Sequence, residues 1–186
     1  MRLFIAIEIP PDVRAGLAAL LEEFRAIAPQ AKWVRPENIH ITLKFLGETE
    51  SAKLTAIQTA LAAIRSRQAV ALQFRGLGFF PNEKRAKVFW AGIESSANLP
   101  PIAADIDQAM HKLGFPPENR SFTPHLTLAR LEPPGIPAKL FAAAEERSAR
   151  DFGSFVAREF HLLESKLKPA GAEYTTLQFF PFVAEV

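Results

Sequence analysis

Two short patterns hold the residues best suited to chemistry: His40 with Thr42, and His125 with Thr127. Each lies in a stretch where polar and apolar residues alternate, the pattern of a half-buried strand. Alternation puts His40, Thr42 and Lys44 on one face and Ile41, Leu43 and Phe45 on the other. It likewise groups His125 with Thr127, and turns Arg130 away from them unless a bulge intervenes. Two imidazoles that titrate near neutrality suit phosphodiester cleavage. A neutral one takes a proton from water, and a protonated one gives a proton to the leaving oxygen. Such acid–base help contributes about 10²–10⁴-fold. The threonine hydroxyls can donate to phosphate oxygens as charge develops, so no metal or cofactor is required.

A single histidine on a strand is ordinarily a polar residue at a sheet surface. What raises this pair is repetition. A shift of 85 residues carries His40-Ile41-Thr42-Leu43 onto His125-Leu126-Thr127-Leu128. The same shift carries Leu3-Phe4-Ile5-Ala6 onto Val88-Phe89-Trp90-Ala91, with one amphipathic helix between the members of each pair. This predicts one domain over residues 1–186, internally duplicated, with repeats at about 1–46 and 86–131. A pseudo-twofold would bring the two histidines together across a cleft. His111 and His161 have no such counterpart and are assigned no role.

The elements that must hold these strands are legible from periodicity. Strands are predicted over 1–9, 33–46, 70–80, 87–94, 122–131, 154–166 and 173–182, and helices over 12–28, 54–64, 102–113 and 140–150, with a Pro-rich loop over 133–137. The expected class is α+β and bilobal, with two mainly antiparallel sheets facing a central cleft and helices on their outer faces.

Composition bounds the rest. Cysteine is absent from the 186 residues, which excludes disulfide and thiolate chemistry and suits a reducing, cytoplasmic setting. The first apolar run, Leu3 to Ile9, is broken by Glu8 and too short for a signal or a membrane span. A net charge of +2 argues against bulk polyanion binding but not against gripping one phosphate. Most of the 16 phenylalanines are expected in the core.

The segments RLFIAIEIP, WVRPENIHITLKFLGE, GLGFFPNEKRAKVFWAGI, SFTPHLTLARL and LLESKLKPAGAEYTTL together resemble the two-histidine phosphoesterase superfamily. More narrowly, they resemble its bacterial and archaeal RNA 2',3'-cyclic phosphodiesterases, historically called 2'-5' RNA ligases. The resemblance spans essentially the whole chain. It implies metal-independent hydrolysis of a terminal 2',3'-cyclic phosphate to a 2'-phosphate, with reverse 2'-5' ligation at the same site. It makes His40 the proton donor to O3' and His125 the proton acceptor, with Thr42 and Thr127 on the phosphate. The near-equivalent motifs do not separate those two roles by themselves.

Secondary candidates are Lys44 and Arg130 as phosphate ligands, and Arg120, Phe122 and Tyr174 as RNA contacts. The basic turn of Lys84, Arg85 and Lys87 could follow an RNA backbone. The expected partner is an RNA or oligonucleotide with a cyclic phosphate end. The chain is expected to be a monomer with no obligatory protein partner and no membrane. Two rivals remain: a zinc-dependent phosphohydrolase, which would need a third ligand beside the histidines, and a nucleotide-binding or RNA-binding module without turnover.

Overall fold

The first strand, β1 (Arg2–Glu8), is apolar on both sides because both sides are covered. Leu3, Ile5 and Ile7 face the main core, while Phe4 and Ala6 pack with Leu163 and Tyr174 on the opposite face. Pro11 and Asp12 then open α1 (Pro11–Ile27), with proline in its first turn and an acid near its N-terminal dipole. Val13, Leu17, Leu20, Leu21 and Phe24 form its buried stripe. The structure is a computed structural model, and it describes residues 1–66, 68–132, 137–169 and 171–182. The Pro-rich loop at 133–136 lies outside them.

The remaining elements are β2 (Lys32–Trp33), β3 (His40–Glu48), α2 (Leu54–Ala62), β4 (Val70–Phe80), β5 (Val88–Ser95), α3 (Leu99–Lys112), β6 (His125–Arg130), α4 (Ala138–Glu146), β7 (Asp151–Ala157), β8 (Glu159–Lys168) and β9 (Gly171–Pro181). They form two antiparallel sheets, ordered β3-β1-β8-β9 and β2-β6-β5-β4-β7. The α+β, two-sheet architecture is the one read from the sequence.

The helices tie the sheets together. α1 follows a strand of the first sheet, yet its Phe24 packs edge-on against Phe89 of the second, ring centres 5.1 Å apart. α3 does the reverse: it follows β5 and meets β3 through an Asp107–Lys44 ion pair. Each sheet is thus covered by the helix that its partner's strand launches.

Three boundaries differ from the sequence reading. The strand predicted over 154–166 is two strands: β7 pairs with β4 and β8 pairs with β1, so the chain changes sheets at Arg158. The strand predicted from 122 begins at His125, because Pro124 has no N–H for a ladder. The strand predicted over 33–46 is broken by a 3₁₀ turn at Pro36–Asn38. β3 ends its own sheet and approaches β6, and just after β2 the Val34 N–H donates to the Leu128 carbonyl of β6 at 2.9 Å.

Candidate active site

A bulge at the same place in each motif strand decides what enters the cleft. Opposite β1, His40, Ile41 and Thr42 pair with Glu8, Ile7 and Ala6, but Ile5 then pairs with Lys44, leaving Leu43 extra. Opposite β5, His125, Leu126 and Thr127 pair with Gly92, Ala91 and Trp90, and Phe89 then pairs with Ala129, leaving Leu128 extra. The inserted residue reverses the alternation beyond it. Leu43 and Lys44 are consecutive buried residues, as are Leu128 and Ala129. Phe45 and Arg130 come back to the histidine face, and both line the cleft.

This register corrects two expectations. Lys44 does not share the His40 face. It is 2% exposed, and its Nζ donates to Asp107 Oδ1 at 2.5 Å and to the Pro116 carbonyl at 2.8 Å. Applied to β1 and β5, the 85-residue shift is also one residue out. Ala6, opposite Thr42, corresponds to Trp90, opposite Thr127, rather than to Ala91. Phe4 accordingly faces the cleft side, whereas Phe89 is buried among Phe24, Trp33 and Phe79.

The cleft, of about 350 Å³, gathers His40, Thr42, His125, Thr127, Arg130 and Tyr174. Arg120 is exposed and does not line it, and Phe122 packs half-buried on the main core. The Lys84, Arg85 and Lys87 side chains are exposed and likewise absent from its lining. Phe45, 61% exposed at the rim, was not singled out from the sequence.

The two histidines are held alike. His40 Nδ1 lies 2.8 Å from the Asn38 carbonyl, and His125 Nδ1 lies 2.8 Å from the Thr123 carbonyl. A carbonyl can only accept, so each bond places hydrogen on Nδ1 and leaves Nε2 for proton exchange. Their surroundings differ. His40 packs against Phe4 at 4.8 Å and edge-on to Tyr174 at 5.3 Å, while His125 meets the edge of Phe80 at 4.9 Å.

Burial draws His40 below its ordinary 6.5, opposed by the Asn38 bond and by the charge of Glu8. Burial also raises the Tyr174 hydroxyl above 10.0 against the pull of Arg130 and Arg2, which leaves it a hydrogen-bond donor at neutral pH. Among the described residues, no group of three or more His, Asp or Glu side chains is placed to hold a metal ion. No helix of the described residues is long and apolar enough to cross a membrane.

A family model described as LigT like phosphoesterase matches residues 7–90 and 93–174. The chain belongs to the LigT-like phosphoesterase family. It is 32% identical over 181 residues to a Methanothermobacter thermautotrophicus protein named RNA 2',3'-cyclic phosphodiesterase, covering 97% of this chain and 98% of that one. A Methanocaldococcus jannaschii protein of the same name is 36% identical over 178 residues, covering 96% and 99%. Among solved structures, TT0787 of Thermus thermophilus superposes with a TM-score of 0.80 at 31% identity and full coverage of both chains. Escherichia coli LigT complexed with 3'-AMP gives 0.78 at 26% identity, covering 98% of each chain. This phosphoesterase thus shares its whole length, not an isolated motif, with its relatives.

Proposed function

We propose that this phosphoesterase hydrolyses the terminal 2',3'-cyclic phosphate of RNA to a 2'-phosphate by metal-independent two-histidine catalysis. The observation that carries the reading is the paired histidines, each fixed through Nδ1 with Nε2 free, on strands lining one cleft with two threonines and an arginine. Relatives named RNA 2',3'-cyclic phosphodiesterase, similar over nearly the full chain, support the substrate.

In this mechanism His125 Nε2 takes a proton from water as its oxygen attacks phosphorus. The bond from phosphorus to O3' breaks, and O3' receives the proton from His40 Nε2. One water is consumed, and the histidines return to their starting states by exchange with solvent. Negative charge grows on the phosphoryl oxygens along this path. The Thr42 and Thr127 hydroxyls donate to those oxygens, and Arg130 supplies the charge-assisted contact. Matched bulges, and family matches to both halves of the chain, support reading it as one domain of two pseudo-twofold repeats.

The test is incubation with an oligonucleotide ending in a 2',3'-cyclic phosphate, in the presence of a chelator. The expected product is the 2'-phosphate. A 3'-phosphate would reverse the leaving group, and activity that requires added zinc would replace the mechanism. Binding without conversion would leave a nucleotide-binding module.

A further inference from the structure

The cross-strand register makes the two histidines chemically unequal. Glu8 stands directly opposite His40, and Gly92 stands directly opposite His125. Residues so paired project side by side from the same face of a sheet, with Cβ atoms roughly 4.5–5.5 Å apart. One histidine therefore has a glutamate as its cross-strand neighbour, and the other has a glycine. The second position is closed to any substituent: a Cβ on Gly92 would lie 2.5 Å from the Arg75 carbonyl oxygen.

Glu8 is held in place. The Thr176 hydroxyl donates to its Oε1 at 2.6 Å. His161 Nδ1 lies 3.6 Å from the same oxygen, and His161 Nε2 is 3.0 Å from Glu159 Oε1. His161, one of the two histidines outside the motifs, is nine-tenths buried in this arrangement.

We propose that Glu8 is the positioning residue that keeps a proton on His40, and so commits His40 rather than His125 to the donor role. The inference rests on the two-histidine reading above. The physical need is plain: burial against Phe4 and Tyr174 drives His40 toward its neutral form, which cannot protonate O3'. Among the described residues, the charged and titratable groups that line the cleft beside His40 are Tyr174 from β9, Arg2 from β1, and His125 and Arg130 from β6. Tyr174 is neutral at working pH, and Glu8 is the carboxylate whose charge favours the imidazolium.

The test is Glu8→Gln, which keeps the shape and an oxygen for Thr176 to donate to. Ring resonances of His40 and His125 are titrated by NMR, and hydrolysis is followed against pH. Losing the carboxylate destabilises the imidazolium, so the His40 midpoint should fall while that of His125 stays. The alkaline limb of hydrolysis should move to lower pH by the same amount, and Glu8→Asp should restore most of both. An unmoved His40, or equal shifts in both histidines, overturns the proposal. The titration needs no turnover, so a wild type that makes no 2'-phosphate sinks the function reading separately.

Discussion

β3 and β6 are the same device carrying different cargo. Both present histidine and threonine, both bulge at the leucine that follows, and both bury the next residue. The buried residue is Lys44 in one and Ala129 in the other, and the residue brought back to the cleft is Phe45 in one and Arg130 in the other. The backbone is thus common to both strands, and asymmetry enters through side chains at a shared set of positions. Arg2 of β1 also lines the cleft, so the difference between the two motif strands lies in what each returns to it, a cation from β6 and an exposed aromatic ring from β3. A bulge is a compact means to this: one extra residue re-aims everything beyond it.

The sharpest way to break the equivalence is to remove each histidine in turn. His125→Ala and His40→Ala should each slow hydrolysis by about 10²–10⁴-fold, measured in single-turnover assays. The double variant should be little worse than either single one, because residues acting as a unit are not additive. Binding of a non-hydrolysable nucleotide should survive His125→Ala. If loss of either histidine left the rate near wild type, the matched strands would be a structural repeat and no more.

The second comparison is of the buried positions, Lys44 and Ala129. Lys44→Ala should cost about 2–4 kcal/mol of stability in chemical denaturation, since it takes the Nζ partner from the Pro116 carbonyl and from Asp107, which keeps only the Glu118 N–H. Ala129→Val should act only through crowding and cost about 1–3 kcal/mol. The Lys44 effect also has a pH signature. Burial pushes Asp107 up, but the Lys44 hydrogen bond, the Glu118 N–H and the charge of Lys44 outweigh it and hold the carboxyl below its ordinary 3.8. A lowered carboxyl stabilises the fold above its unfolded value and loses that contribution as pH falls through the folded one. The gap between wild type and Lys44→Ala should therefore be level near neutrality and close below about pH 4. A gap that stayed constant into acid would mean the loss is one of packing and not of charge.

How far the sequence revealed this arrangement depends on the residue type at the bulge. In His40-Ile41-Thr42-Leu43-Lys44-Phe45 the letters alternate perfectly, so a period-two reading assigns Lys44 to the cleft. A lysine that is buried by pairing with Asp107, 63 residues away, looks like a lysine in solvent. In His125-Leu126-Thr127-Leu128-Ala129-Arg130 the alternation visibly fails at Ala129, and Arg130 could be suspected of turning inward. The sheet change at Arg158 left no such mark, because both flanking segments are strand-like and which sheet each joins is a tertiary choice. The histidines and threonines were legible because they precede the bulge. The Glu8–Gly92 difference was not, because it depends on a pairing register that the repeat in the sequence places one residue out.

The finest comparison is between the residues the bulges return to the cleft. Arg130 carries a fixed charge, and Phe45 offers an exposed apolar face. Both should matter for substrate affinity, by about tenfold each, but for different reasons. Weakening through Arg130→Gln is the loss of a phosphate contact. It should raise KM for every base and reduce the salt dependence of binding. Weakening through Phe45→Ala is the loss of a stacking surface. It should leave the salt dependence intact and act most on purines, whose larger faces stack more strongly. Measuring KM against ionic strength for both variants, with adenine-ended and uracil-ended oligonucleotides, separates the two. If both variants flattened the salt dependence equally, the two ends of the cleft would be alike, and the asymmetry would lie only in the histidine pair.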